Sequence, residues 1–132
     1  MTRDASIQLI RAFMSEKLPE LDWYRETSEH LKSIVFYGSR AKRTNRKDSD
    51  IDLLFIMPIE IEEKHTEGEY SYEFGGQEIN IVIRSIERLR DIAAGEHDSF
   101  QAEIFRNSEI MWQRDSEADE LIKLISFARK DN

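Results

Sequence analysis

The sequence predicts a mixed α/β (α+β) fold, a mixed central sheet of about four or five strands flanked by helices. Three observations carry that expectation. Apolar residues recur at helical spacing near both ends of the chain. Two short β-branched and aromatic runs, Ser33 to Tyr37 and Ile51 to Met57, stand in its middle. A glycine pair, Gly75-Gly76, then separates two further strand-like stretches. Helical and strand patterns interleaved in this way call for helices packed against a sheet.

From the N-terminus, Ile7, Ile10, Phe13, Met14 and Leu18 form the apolar stripe of an amphipathic helix. Pro19 stops it or starts a second short helix carrying Leu21, Tyr24 and Leu31. Ser33 to Tyr37 is a strand ended by Gly38. Ser39 to Arg46 is polar and basic. Ile51 to Met57 becomes continuously apolar, which suits a strand covered on both faces, and Pro58 closes it. Glu60 to Glu69 carries five glutamates against one lysine and reads as a solvated connection. Tyr70 to Phe74 and Gln77 to Ile83 form a hairpin around the two glycines, which supply the positive backbone angles of a tight turn. Ser85 caps a helix bearing Ile86, Leu89 and Ile92, and Gly95 ends it. A helix around Phe100 to Phe105, a strand at Ile110 to Trp112 and a C-terminal helix from Ser116 complete the chain. Periodicity does not fix the order of strands in the sheet.

At 132 residues the chain has the length of a single domain, 1–132. Its 19 basic and 27 acidic residues give a net charge of −8, which argues against a nonspecific nucleic-acid binder. Having no cysteine, it holds no disulfide, thiolate metal site or cysteine nucleophile. The apolar stretch from Ile7 to Leu18 is broken by Arg11, Glu16 and Lys17, so neither a signal peptide nor a membrane span is expected, and a cytoplasmic location follows by elimination. His30, His65 and His97 share no ligand spacing. Trp23 and Trp112 read as packing residues rather than base-stacking platforms.

One stretch carries chemistry. Gly38-Ser39 falls where a strand turns toward a short helix. Glycine lets another group approach the backbone, a helix N-terminus offers free N–H donors to a phosphate, and the serine hydroxyl adds another donor. Asp50 and Asp52 open the next strand. Residues two apart in a strand share a face with Cα atoms about 6–7 Å apart, so the two carboxylates project together while Ile51 and Leu53 face the core. Paired carboxylates with no lysine between them are costly unless a cation sits there. Mg²⁺ is the natural candidate, because it takes hard oxygen ligands and commonly combines one or two carboxylates with substrate phosphates. A phosphate-cradling turn beside such a pair is what metal-assisted nucleotidyl transfer needs. Arg40, Lys42, Arg43, Arg46 and Lys47 add local positive charge that attracts a triphosphate, although a solvated loop balancing nearby acids explains them equally well. Asp48 and Ser49 read as turn residues.

The Gly38-Ser39 pair, ten intervening residues and Asp50-Ile51-Asp52 together resemble the signature of the nucleotidyltransferase superfamily related to DNA polymerase beta. The string Gly38-Ser39-Arg40-Ala41 and the short length are similar to the minimal nucleotidyltransferases, and to the catalytic domain of aminoglycoside nucleotidyltransferases. The likeness spans roughly Leu31 to Ile83. It implies an Mg²⁺-dependent enzyme moving a nucleoside monophosphate, AMP from ATP, to an acceptor hydroxyl. Gly38, Ser39 and Arg40 would bind the nucleotide, and Asp50 and Asp52 would be the catalytic metal ligands. Minimal members of the family work beside a small helical HEPN-type partner in toxin–antitoxin modules, as the antitoxin. Pairing with itself is also open to so short a domain.

The chain departs from the family in two places. Lys42-Arg43 replaces the Arg-Gly that usually follows Gly-Ser-Arg-Ala. Asn80, within Ile79-Asn80-Ile81-Val82, occupies the position of the family's third aspartate. Asn80 can coordinate through its carbonyl oxygen and joins Gly38, Ser39 and Arg40 as an expected nucleotide-binding residue, but it cannot accept a proton as a base. Glu78, two residues earlier on the same strand face, is the candidate substitute. The alternative is a nucleotide- or partner-binding module with the same fold and impaired catalysis.

Overall fold

The structure is a computed structural model that describes residues 2–38, 50–65, 69–95 and 105–127. Helix α1 (Arg3–Glu16) is capped by the Thr2 hydroxyl, which accepts the Ala5 N–H at 3.1 Å. A 3₁₀ turn at Leu18–Glu20 uses Pro19 to redirect the chain into α2 (Asp22–Thr27). Strands β1 (Ser33–Tyr37) and β2 (Ile51–Met57) have the bounds their apolar runs predict. Strands β3 (Glu69–Phe74) and β4 (Gln77–Ser85) meet at Gly75 and Gly76, whose φ angles of 59° and 76° give the mirror-image turn that suits the hairpin's twist. The Ser85 hydroxyl accepts the Arg88 N–H at 3.0 Å and starts α4 (Ile86–Ala94). Strand β5 (Glu109–Gln113) and helix α5 (Glu117–Phe127) follow. Most of the helix expected around Phe100 to Phe105 lies outside the described residues.

The five strands form one mixed sheet in the order β3-β4-β2-β1-β5. β1 runs antiparallel to β2 and β5, β2 parallel to β4, and β3 antiparallel to β4. Strand alternation divides the core in two. On one face Ile34, Phe36, Ile51, Leu53, Phe55, Ile79, Ile81 and Ile83 pack with Ile7, Ile10, Phe13 and Trp23 from α1 and α2. On the other, Val35, Leu54 and Ile56 pack with Ile86, Leu89, Ile122 and Ile125 from α4 and α5. Trp23 behaves as a packing residue: it stacks on Tyr70 at 4.4 Å and donates its indole N–H to the Tyr72 hydroxyl at 2.7 Å. Among the described residues no helix is long and apolar enough to cross a membrane.

One expectation fails. The first part of the acid-rich stretch after Pro58 is not a solvated connection, because it forms helix α3 (Ile59–Lys64) with Ile61 and Glu62 buried while Glu60 and Glu63 stay exposed; residues 66–68 lie outside the described residues. The Glu62 carboxylate accepts the Ser85 backbone N–H and the Arg88 Nε–H, each at 2.8 Å. A carboxylate is tolerated inside because a cation and an otherwise unpaired helix-start N–H both meet it there.

Candidate active site

The second sheet face leaves its packed region at the C-terminal end of β1 and the N-terminal ends of β2 and β4. Register builds a polar row there. Tyr37 on β1 pairs with Asp52 on β2, Asp52 with Asn80 on β4, and Asn80 with Ser71 on β3. One step nearer the strand ends, Glu73 on β3 pairs with Glu78 on β4. The β2–β4 register carried back one residue from Ile51 and Ile79 sets Asp50 beside Glu78. Asp50 and Asp52 are half-buried, whereas Ile51 between them is fully buried in the opposite core. The two aspartates therefore share a face, as alternation requires.

Gly38 closes the row. Its φ of +85° lies in the left-handed region, and a Cβ built on it would stand 2.7 Å from the Asp52 Oδ2. The absent side chain is thus what gives the Asp52 carboxylate its space. Ser39, Arg40, Lys42, Arg43, Arg46, Lys47, Asp48, Ser49 and His97 lie outside the described residues.

Asn80 stands at the centre. Its Nδ2 donates to the Asp50 Oδ2 at 2.9 Å, and its Oδ1 accepts the Ser71 hydroxyl at 2.9 Å. Burial holds the Asp52 carboxyl above the usual aspartate range; the Asn80 amide pulls it back and the Asp50 charge adds to the rise. The Glu78 carboxyl is also raised, first by its hydrogen bond with Asp50 and then by the Asp50 charge. Burial pushes the Tyr37 phenol up to about 12, with the Asp52 charge adding to the shift and Arg84 opposing it.

Four of the residues singled out from sequence, Asp50, Asp52, Glu78 and Asn80, are therefore brought together beside Gly38. Tyr37 and Ser71 were not singled out. Ser71 was within reach of sequence reasoning: a two-residue turn pairs Phe74 with Gln77, and counting back along the hairpin sets Ser71 opposite Asn80. Tyr37 had no such signal, since nothing local fixes the β1–β2 register.

Asp50 and Asp52 offer hard oxygen donors from one sheet face, with Gly38 leaving the Asp52 carboxylate its space, a donor chemistry that fits a Mg²⁺-type ion drawing its other ligands from phosphates and water. Among the described residues, no three His, Cys, Asp or Glu side chains form a ready-made metal cluster. A cavity of about 430 Å³ lined by Glu69, Ser71, Asn80 and Val82 opens beside the row. A larger one, about 580 Å³, lies at the opposite sheet edge between β5 and α5 and contains none of these side chains. His30 contacts Glu29, and His65 Nδ1 lies 2.9 Å from the Tyr70 hydroxyl, both away from the row.

The sequence profile of the family described as polymerase beta, nucleotidyltransferase matches residues 20–117, more than half of the chain. A nucleotidyltransferase-like protein from Exiguobacterium sibiricum has a similar fold, with a TM-score of 0.54 at 12% identity over 87% of this chain. This chain spans 37% of that protein's length. A toxin–antitoxin structure with AMP-PNP aligns at a TM-score of 0.43 and 16% identity, over 81% of this chain and 82% of that one. A mutant of the toxin–antitoxin MntA-HpeT aligns at 0.43 and 14%, over 84% and 85%. No curated protein sequence matches this chain.

Proposed function

This chain belongs to the polymerase beta nucleotidyltransferase family, and from that premise we propose that it transfers a nucleoside monophosphate, AMP from ATP, to an acceptor hydroxyl, with residues 1–132 acting as one domain. The observation that carries the proposal is the placing of Asp50 and Asp52 on one sheet face around Asn80, whose amide donates to Asp50 and which stands opposite Asp52 in register, beside a turn whose missing Cβ leaves room for Asp52. A divalent cation of the Mg²⁺ class, held by Asp50 and Asp52, would supply charge neutralisation at the phosphates.

The chain's own residues account for the rest. Gly38 keeps the backbone clear for the triphosphate, and Ser39 and Arg40 offer it a hydroxyl and a guanidinium. The cavity beside Asn80 receives the acceptor group. Glu78 takes the proton of the attacking hydroxyl, as the exposed carboxylate on this face of β4 that is not assigned to the cation. The hydroxyl oxygen then bonds to the α-phosphorus and pyrophosphate leaves. A small helical HEPN-type protein is the proposed acceptor and partner, this chain being the antitoxin.

A second reading has one observation in its favour. Asn80 stands where the family carries a third carboxylate, and its amide donates to Asp50 instead of offering a charge. A chain so built binds the nucleotide and the partner without turnover. Incubating the protein and its co-purifying partner with α-labelled ATP and Mg²⁺ separates the two. Label on the partner, lost in Asp50→Ala and Glu78→Gln, is the expected result. Intact ATP binding with no label leaves only the binding module.

A further inference from the structure

Ser71 and Asn80 face each other across the β3–β4 pair, next to the two aspartates. We propose that Ser71, acting through Asn80, is a positioning residue for the acidic pair, and that Asn80 serves as a fixed amide donor to the carboxylates, not as a cation ligand. The inference rests on reading Asp50 and Asp52 as the ligands, and refines that reading.

The two ends of the Asn80 amide face opposite ways. Its only atom able to ligate a cation, Oδ1, accepts the Ser71 hydroxyl across the β3–β4 pair at 2.9 Å, on the side away from β2. Its donor end points to β2 and gives a hydrogen bond to the Asp50 Oδ2 at 2.9 Å. Turning the amide over would set Oδ1 against the Asp50 carboxylate, two acceptors facing each other, so the carboxylate fixes the orientation and the Ser71 hydroxyl anchors the Oδ1 end of the amide so oriented. A donor to an ionised carboxylate forms one of the stronger hydrogen bonds, and without it the acids would face mainly one another.

A consequence for ligand choice follows. Two carboxylates beside an amide donor offer a cation fewer anionic ligands than three carboxylates would. The cation therefore binds together with the triphosphate that completes its coordination, and weakly on its own.

The test uses the full chain with Mn²⁺ as probe, free ion being read by electron paramagnetic resonance with and without ATP, alongside melting in metal-free buffer. Wild type is expected to bind Mn²⁺ with ATP far more tightly than Mn²⁺ alone. Ser71→Ala is expected to weaken Mn²⁺ binding in the presence of ATP by about five-fold, the weight of one hydrogen bond, and Ser71→Thr to restore it. If the Asn80 oxygen instead had to leave Ser71 to reach the ion, Ser71→Ala would tighten binding; that result, or no change, overturns the proposal. Asn80→Asp is expected to lower the metal-free melting temperature by several degrees, because a third carboxylate meets Asp50 and Asp52, and Mn²⁺ alone is expected to recover the loss. An unchanged metal-free melting temperature overturns the donor role. Absence of Mn²⁺–ATP binding in wild type overturns the parent reading instead, and the metal-free melting of Asn80→Asp still decides the role of the amide.

Discussion

Replacing Gly38 by alanine is expected to damage stability and nucleotide binding together. Two costs act at this position. The backbone sits at φ +85°, where an L side chain is strained, and the new Cβ would lie 2.7 Å from the Asp52 Oδ2, well inside contact distance. Strain of this kind costs about 1–3 kcal/mol. The close contact is relieved only if Gly38 changes its backbone angles or Asp52 swings away, and a moved Asp52 leaves the Asn80 amide. A loss of about 1–3 kcal/mol in a domain of this size lowers the melting temperature by roughly 4–10 °C. Chemical denaturation gives the stability, and the melting shift on adding Mg²⁺ and ATP together gives binding. Both are expected to fall in Gly38→Ala, whereas Gly76→Ala, whose Cβ meets nothing within 4 Å, is expected to lose stability alone. A Gly38→Ala protein with wild-type stability and an undiminished ligand shift would refute the reasoning.

Three other expectations concern groups around the site and the scaffold. Glu62→Ala strands the buried Ser85 N–H, so a loss of about 2 kcal/mol is expected in urea denaturation, most of it from that donor because Arg88 is largely solvent-exposed. The Tyr37 phenol keeps its proton to about pH 12, chiefly through burial. Ultraviolet titration of wild type minus Tyr37→Phe should show a phenol ionising near 12, and stability should fall between pH 10 and 12 as the unfolded phenol ionises first. A difference spectrum centred at 10 would contradict this. Asp115 and Glu117 are lowered, Asp115 by Lys32 and Glu117 by Arg90. Their contribution is present above the ordinary carboxylate range and is lost as pH falls through their folded-state values. Being partly exposed, the Lys32–Asp115 pair is worth about 0.2–1 kcal/mol, and Lys32→Ala should flatten the acid limb of the stability profile.

Much of the fold can be read locally because its signals are local. β1 and β2 are mainly apolar runs bounded by Gly38 and Pro58, and the hairpin needs only Gly75-Gly76. Helix α3 was not legible, since five glutamates between Glu60 and Glu69 look like solvent and the feature that buries Glu62 is Arg88, on a helix beyond the hairpin. Strand order was equally hidden, because β2 lies beside β4, its partner across two intervening elements. In the site, alternation alone gives the shared face of Asp50 and Asp52. The direction of the Asn80 amide is different in kind: it depends on two neighbours from two other strands, and no spacing within one strand encodes it.

The most direct test of the central idea, that Asp50 and Asp52 hold a divalent ion together with a triphosphate beside Gly38, is the melting temperature with Mg²⁺, with ATP and with both. At about 100-fold above the dissociation constant, joint binding adds about 2.7 kcal/mol, a rise on the order of 10 °C. Wild type is expected to show that rise only with both ligands, and Asp50→Ala/Asp52→Ala to show none. An equal rise in the double variant would place nucleotide binding elsewhere on the molecule and contradict the assignment of this row as the active site.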